Sequence, residues 1–181
     1  MLKKYVRKGF LMETIKTTLR IAGIVKESIV DGPGIRLVVF AQGCKRRCPG
    51  CHNPQTHPFD GGKIININEI LEMIDRNPLI DGITLSGGEP FEQAEAFAVL
   101  AEKVKEKGLN VMTYTGYTFE EIMKNLNTKA GWERLLKASD ILVDGRFIQE
   151  ERDLTLKFRG SKNQRIIDVK KSIENNRVEI I

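Results

Sequence analysis

Residues 82–114 read GITLSGGEPFEQAEAFAVLAEKVKEKGLNVMTY. The short apolar run 82–85 predicts a buried strand, and apolar residues recur at helical spacing over 91–107. Gly108 stands where a helix C-cap belongs, and 109–114 is a second apolar run that predicts another strand. A strand, a helix and a strand in this order predict a right-handed βαβ unit with two parallel strands.

Similar elements continue on both sides of this unit. The pattern predicts further strands at 21–25, 35–41, 140–143, 166–169 and 178–181, and helices at 68–76, 118–126 and 131–138. A complete eightfold barrel needs ~250 residues, whereas ~30 residues per βαβ unit allow five or six strands here. The pattern is therefore that of an α/β fold, either an open partial barrel or a small doubly wound sheet.

Composition narrows the class of protein. The chain has 181 residues, 41% hydrophobic and 29% charged, which fits one globular domain and excludes intrinsic disorder. No apolar stretch approaches the ~20 residues of a membrane span. The whole net charge of +5 lies in residues 1–20, which we interpret as a basic N-terminal extension before a domain over 21–181. Because the domain itself is neutral, no nucleic acid partner is expected.

All three cysteines fall in the stretch Cys44-Lys-Arg-Arg-Cys48-Pro-Gly-Cys51, with the spacing C-x3-C-x2-C. An odd and local set indicates a metal site in a reducing compartment, so a cytoplasmic location is expected. A four-iron cluster normally takes four thiolates, and three would leave one iron open to a cofactor or substrate. The alternative is zinc, with His52 or His57 completing a Cys3His set.

Three candidate loops follow predicted strands. The cysteine loop follows 35–41, the turn Ser86-Gly87-Gly88-Glu89-Pro90 follows 82–85, and Thr115-Gly116 follows 109–114. The carboxyl ends of parallel strands meet at one edge of a sheet, so the three loops are expected to form one site. Two glycines permit close backbone approach to a ligand, although an ordinary strand–helix turn with Pro90 at the first helical position has the same pattern.

The cysteine spacing and the later Gly-Gly-Glu-Pro together resemble the radical S-adenosylmethionine superfamily. That superfamily usually has an aromatic residue before the third cysteine, where this chain has Gly50. The stretches 30–36 and 48–54 resemble the glycyl-radical-enzyme activases, and most of all the activating proteins of anaerobic ribonucleoside-triphosphate reductase. Further similar stretches are Tyr114-Thr115-Gly116-Tyr117, 140–147, Arg159-Gly160-Ser161 and 163–168.

The resemblance implies a partial, open β/α barrel of about six parallel strands. It implies that Cys44, Cys48 and Cys51 bind three irons of a [4Fe-4S] cluster, and that S-adenosyl-L-methionine chelates the fourth. An electron from a flavodoxin or ferredoxin would cleave this cofactor, and the radical formed would remove a hydrogen from a glycine of a large partner enzyme. The implied partner is anaerobic ribonucleoside-triphosphate reductase.

The resemblance also implies which residues surround the cofactor. The methionyl group would contact Ser86, Gly87, Gly88 and Glu89, the adenine would border Gly50, Cys51 and His52, and the ribose or methionyl carboxylate would meet Asp144 and Arg146. Thr113 and Tyr114 end a strand at the same edge. The cations Lys45, Arg46 and Arg47 are expected to raise the cluster potential and attract an anionic electron donor, or else to form a solvated charged run.

Two other functions stay open at this point. An activase of a pyruvate formate-lyase-type enzyme uses the same chemistry, and the short chain with Pro49-Gly50-Cys51 favours the reductase instead. A zinc-binding interaction module without catalysis is the alternative of another class.

Overall fold

The computed structural model describes residues 17–181 and contains seven strands and five α-helices in that part. The strands are β1 (Thr18–Ser28), β2 (Arg36–Ala41), β3 (Lys63–Asn66), β4 (Gly82–Gly87), β5 (Asn110–Tyr114), β6 (Ile141–Asp144) and β7 (Arg165–Asp168). The helices are α1 (Ile67–Asp75), α2 (Ala94–Glu106), α3 (Phe119–Asn125), α4 (Trp132–Ala138) and α5 (Val169–Asn175). Within 17–181, no helix combines the length and apolar character needed to cross a membrane.

The strands form one open sheet in the order β3-β1-β2-β4-β5-β6-β7. The α/β class is confirmed, but only β2, β4, β5 and β6 run parallel, whereas about six parallel strands were expected. β1, β3 and β7 pair antiparallel with their neighbours. The short loop between β1 and β2 permits only a hairpin, and no crossover helix lies between β6 and β7, so neither pair is parallel.

The two ends of the chain differ from the sequence prediction. β1 begins at Thr18, because Thr18–Arg20 pairs with β3 and Leu19 is buried, so this part of the predicted extension belongs to the sheet. Residues 1–16 of that extension lie outside the described residues. β3 was not predicted, and the predicted strand at 178–181 is reduced to one isolated bridge between Ile167 and Ile180.

The sheet separates the hydrophobic core from the site. Leu37 and Val39 of β2 alternate with Val38 and Phe40, as expected where successive side chains point to opposite faces. The first pair belongs to the core cluster that also contains the buried residues of α1 to α4. Phe40 lies on the opposite face and lines a cavity there, together with Ser86 and Tyr114 of neighbouring strands.

Arg36, two pleats before Phe40 on the same face of β2, has a fully buried side chain. Its Nε donates to Thr84 Oγ1 at 2.7 Å and its Nη1 donates to the Pro33 carbonyl at 3.0 Å. Gly32 adopts a φ of +141°, and a Cβ there would lie 2.6 Å from Arg36 Cδ. Burial lowers the pKa of Arg36 to about 10, so the guanidinium keeps its charge at neutral pH. The turn 31–34 is thus wrapped around a buried cation, and it places Val30 in the cavity wall.

Candidate active site

The cysteine loop is closed at its base by backbone hydrogen bonds. Gly43 N donates to the Thr56 carbonyl at 2.8 Å, and Cys44 N donates to the His57 carbonyl at 3.0 Å. The Gln42 side chain reaches across the loop and donates to a carbonyl on its far side at 2.6 Å. These bonds hold the first cysteine in place independently of any ligand.

The three cysteines are free thiols, and all line one cavity of about 580 Å³. Cys44 is buried, whereas Cys48 and Cys51 are partly exposed. Cys51 N donates to the Cys48 carbonyl at 3.1 Å, and the backbone N–H of Asn53 points at Cys51 Sγ, 3.4 Å away. Burial raises the pKa of the Cys44 thiol, so a positively charged metal centre is the partner that would stabilise its thiolate.

The two glycines of the Gly-Gly-Glu turn allow it to pack against the start of the cysteine loop. Gly87 has a φ of +89°, and a Cβ there would lie 2.7 Å from the backbone nitrogen of Ala41. A Cβ at Gly88 would lie 2.6 Å from the carbonyl oxygen of Gly43. Gly88 N donates to the Ala41 carbonyl at 2.8 Å and Glu89 N to the Gly43 carbonyl at 2.9 Å. Glycine is therefore required at both positions because the turn lies directly against the backbone of Ala41 and Gly43.

Glu89 is buried, and its carboxylate is already hydrogen-bonded by the protein. Oε1 accepts from Phe91 N at 3.1 Å and from Thr115 Oγ1 at 2.9 Å, and Oε2 accepts from Gly116 N at 2.7 Å. Burial raises the pKa of Glu89 to about 7 despite these three donors. The side chain thus connects the β4 turn to the β5 turn, which brings the second and third predicted loops together.

The residues around the third cysteine divide between the cavity and the surface. Cys51 and His52 line the cavity, and the His52 ring contacts the Phe147 ring with centroids 4.8 Å apart. Gly50 has a φ of +69°, and a Cβ there would lie 2.6 Å from Gln149 Oε1. Gly50 is exposed and is not part of the cavity lining, and its place beside the adenine stays a prediction.

The two residues that end β5 point to opposite faces. Thr113 is buried on the helix side, where its hydroxyl lies 2.7 Å from Ser139 Oγ, and it is remote from the cavity. Tyr114 lines the cavity and donates its hydroxyl to the Phe158 carbonyl at 2.8 Å. β5 therefore contributes one residue to the site, and that residue ties the segment after β6 to the cavity wall.

Three buried nitrogen atoms have no hydrogen-bond partner within the described residues. They are Arg46 Nε, His57 Nε2 and Arg159 Nε, and all three residues line the same cavity. A buried donor without a partner is costly, so this concentration indicates a site for a ligand rich in acceptors. From the sequence, His57 was a candidate only for the alternative zinc site, and Arg159 was noted only as part of a stretch that carries the family resemblance.

Comparison with known proteins identifies the family of this chain. Residues 30–167 match the family model of the 4Fe-4S single cluster domain. The anaerobic ribonucleoside-triphosphate reductase-activating protein of Vibrio cholerae is 36% identical over 144 residues, which cover 75% of this chain and 89% of that protein. The chain belongs to the radical S-adenosylmethionine activase family.

Two further known proteins are similar in sequence to this chain. The protein of the same name from Enterobacteria phage T4 is 34% identical over 145 residues, covering 76% of this chain and 86% of that protein. The pyruvate formate-lyase-activating enzyme of Clostridium pasteurianum is 34% identical over 168 residues, covering 89% of this chain and 66% of that enzyme. Family membership overturns the alternative of a zinc-binding interaction module.

The donor set of this protein fits a four-iron cluster. Cys44, Cys48 and Cys51 are three free thiols on one loop that face one cavity. Within 17–181, no three His, Cys, Asp or Glu side chains converge as binding of a single metal ion requires. Such convergence is not needed when each thiolate binds a different iron of one cluster.

Asp144, for which the family resemblance implied a contact with the cofactor, is held by hydrogen bonds within the protein. It is 1% exposed, is absent from the cavity lining, and accepts a hydrogen bond from Phe119 N at 2.7 Å. Its two oxygens also accept from Arg165 Nε at 3.0 Å and Nη2 at 2.5 Å. Arg146 is exposed and donates to the Arg46 carbonyl at 2.9 Å, also outside the cavity lining. Both residues support the walls of the activase site.

Two of the three basic residues of the cysteine loop form ion pairs within the protein. Arg46 pairs with Glu121 at 3.0 Å and lies over the Tyr117 ring, 3.9 Å from its centroid. Lys45 pairs with Glu92 at 2.6 Å. Arg47 is exposed, and no ion pair involves it among the described residues. The effect of these charges on the cluster potential stays a prediction, with Arg47 as its main source.

Replacing Asp144 with Asn is expected to lower the free energy of unfolding by about 2 kcal/mol, because a buried charge-assisted pair with Arg165 is lost. Affinity for S-adenosylmethionine should remain within about twofold of wild type. Chemical unfolding and ligand titration measure the two quantities. Glu120→Gln is the matched control, since Glu120 contacts the same Arg165 from an exposed position. If Asp144→Asn loses much of its affinity for S-adenosylmethionine and Glu120→Gln does not, Asp144 contacts the cofactor.

Proposed function

We propose that this chain activates anaerobic ribonucleoside-triphosphate reductase by generating a glycyl radical on it. One observation carries the proposal: the three thiols of the C-x3-C-x2-C loop and the Gly-Gly-Glu turn line one cavity. Relatives that bear the reductase-activating name are matched over 86% to 90% of their own length. The match thus extends over most of the length of proteins named for that function.

Cys44, Cys48 and Cys51 would hold three irons of the cluster, and S-adenosylmethionine would occupy the remaining iron. When bound, the pair supplies one-electron cleavage of a carbon–sulfur bond and a radical that abstracts hydrogen. The chain's own residues would position these groups and exclude water from them. An electron donor such as flavodoxin or ferredoxin would act at the exposed side of the loop, near Arg47, in a reducing cytoplasm.

The turn Ser86-Gly87-Gly88 would bind the methionyl ammonium through backbone carbonyls. The amides of Gly88 and Glu89 are already used in bonds to the cysteine loop, and the Glu89 carboxylate already accepts three hydrogen bonds. Glu89 is therefore a positioning residue in this proposal, since it holds the turn at its distance from the cysteines. His52 and Phe147 would provide ring surfaces for the adenine.

A second candidate is activation of a pyruvate formate-lyase-type enzyme. The Clostridium pasteurianum enzyme covers 89% of this chain, but the chain covers only 66% of that enzyme. The corresponding share is 89% for the Vibrio cholerae reductase activator. The larger matched share of the reductase activator favours the reductase as the partner.

The test is anaerobic reconstitution with iron and sulfide, reduction with dithionite, and addition of S-adenosylmethionine with each purified partner. We expect 5′-deoxyadenosine to form, and the electron paramagnetic resonance signal of a glycyl radical to arise on the reductase. A signal on the formate-lyase partner alone would support the second candidate. Failure to cleave S-adenosylmethionine with a fully assembled cluster would contradict both.

A further inference from the structure

The segment Phe158-Arg159-Gly160, here the 158–160 arm, is fixed against the cavity on both sides of its central residue. Tyr114 donates its hydroxyl to the Phe158 carbonyl at 2.8 Å, and Gly160 N donates to Gln164 Oε1 at 2.8 Å. Phe158 has a φ of +57°, which is disfavoured for a bulky side chain and persists only where the surroundings enforce it. The position of Arg159 is therefore set by its neighbours in the fold.

The arm also approaches the cysteine loop closely. A Cβ at Gly160 would lie 3.2 Å from His52 Cε1 and 3.1 Å from Phe147 Cδ2. His52 directly follows the third cysteine, and both line the cavity together with Arg159. The arm thus borders the same space as the three thiols.

Arg159 presents one edge of its guanidinium without a protein partner. Its Nη1 donates to the Gln164 carbonyl at 2.8 Å, while its Nε is buried and unpaired within residues 17–181. Nε and Nη2 form the edge with which arginine grips a carboxylate in two parallel hydrogen bonds. Arg165 uses this edge for Asp144, at 3.0 and 2.5 Å, in this same chain. This edge of Arg159, with its buried and unpaired Nε, has the donors to bind the carboxylate of a ligand in the same way.

We infer that Arg159 binds the methionyl carboxylate of S-adenosylmethionine and contributes to selection of this cofactor. The inference rests on the proposed function, which puts that zwitterion in the cavity. The family resemblance implied this contact for Asp144 or Arg146, but those side chains are engaged outside the cavity lining. Arg46 is the other arginine of the lining, and its Nη2 is taken by Glu121. Arg159 is thus the arginine of the lining that retains an unpaired edge and no acidic partner among the described residues.

The test measures binding and not turnover. Protein with an assembled, oxidised cluster is titrated with S-adenosylmethionine and with decarboxylated S-adenosylmethionine, which lacks only the carboxylate. We expect Arg159→Gln to weaken S-adenosylmethionine binding by about tenfold or more, and binding of the decarboxylated compound by less than about twofold. The matched control is Lys157→Gln, which removes an exposed charge from the same segment outside the cavity lining and should change neither affinity.

Equal weakening of both compounds in Arg159→Gln would overturn the inference, because the guanidinium would then act only on the structure. Unchanged cofactor affinity together with lost binding of the reductase would also overturn it, and would place the guanidinium on the partner. Arg159→Lys keeps the charge without the paired donors, and the same comparison of the two compounds is made on it if the Gln variant loses its cluster. Failure of the wild type to bind either compound would count against the proposed function itself.

Discussion

Serine at any one of Cys44, Cys48 or Cys51 is expected to abolish reductive cleavage of S-adenosylmethionine, by more than about 100-fold. Each thiol lines the cavity, and the described residues hold no other cysteine that could replace it. Serine is a poor ligand for iron of a cluster, so the reconstituted variants should also contain less iron and sulfide per chain. Iron analysis, visible absorption and 5′-deoxyadenosine formation measure the effect.

Gln55→Ser is the control for the cysteine variants. Gln55 is exposed on the same loop, and the loop uses its backbone carbonyl and not its side chain in the bond from Gln42. This variant should retain cluster content and cleavage. Full activity in all three cysteine variants would contradict the cluster assignment, and loss of activity with normal iron content would place the cysteines in another role.

Gly87→Ala is expected to lower the free energy of unfolding by about 3 kcal/mol or more and to reduce cluster assembly. The added Cβ would meet the Ala41 backbone nitrogen at 2.7 Å, and backbone atoms of a central strand pair cannot move aside easily. The β4 turn would have to separate from the start of the cysteine loop. Chemical unfolding of the purified chain and iron content after reconstitution measure the two effects.

Gly108→Ala separates the clash from backbone strain. Gly108 also has a positive φ, of +76°, but a Cβ there would meet nothing within 4 Å. The cost should be only about 1 kcal/mol, and cluster assembly should be normal. If Gly87→Ala destabilises no more than Gly108→Ala, close packing of the turn on the cysteine loop is not the reason for a glycine at this position.

Hydrophobic periodicity and helix-end signals in the sequence predicted the individual strands and helices where residues near in sequence determine them. The βαβ unit over 82–114 is present as β4, α2 and β5 because burial on one sheet face and one helix face determines its periodicity. The helix predicted over 118–126 is present as α3, and it begins with a capping box in which Thr118 and Glu121 make both reciprocal hydrogen bonds. β3 was missed because only four residues pair at the edge of the sheet, where two consecutive isoleucines show no alternation.

The sequence also contains a signal for the relative direction of β1 and β2. The segment between the first two predicted strands is too short for a crossover, and this alone indicates an antiparallel pair. The direction of β7 has no comparable signal, because segment 145–164 is long enough for either geometry.

The site was predicted by residue type and loop position, but not by individual contacts. The three cysteines and the Gly-Gly-Glu turn line one cavity as predicted. The pairing of Asp144 with Arg165 was not predicted, because Arg165 is distant in sequence and belongs to a strand whose antiparallel direction no local pattern revealed. Arg159 was not singled out from the sequence, because its distinguishing feature is a buried Nε without a hydrogen-bond partner. Only a three-dimensional structure can show this feature.

The closed base of the cysteine loop has a consequence for damage by oxygen. The bonds from Gly43 to Thr56 and from Cys44 to His57 involve only the backbone, so destruction of the iron centre leaves them in place. Gln93 also donates to the Gln42 carbonyl at 2.9 Å and anchors the loop to the segment that begins α2. Oxidative loss of iron would therefore inactivate the protein without unfolding it, and the intact chain would remain available for repair by renewed iron and sulfide insertion.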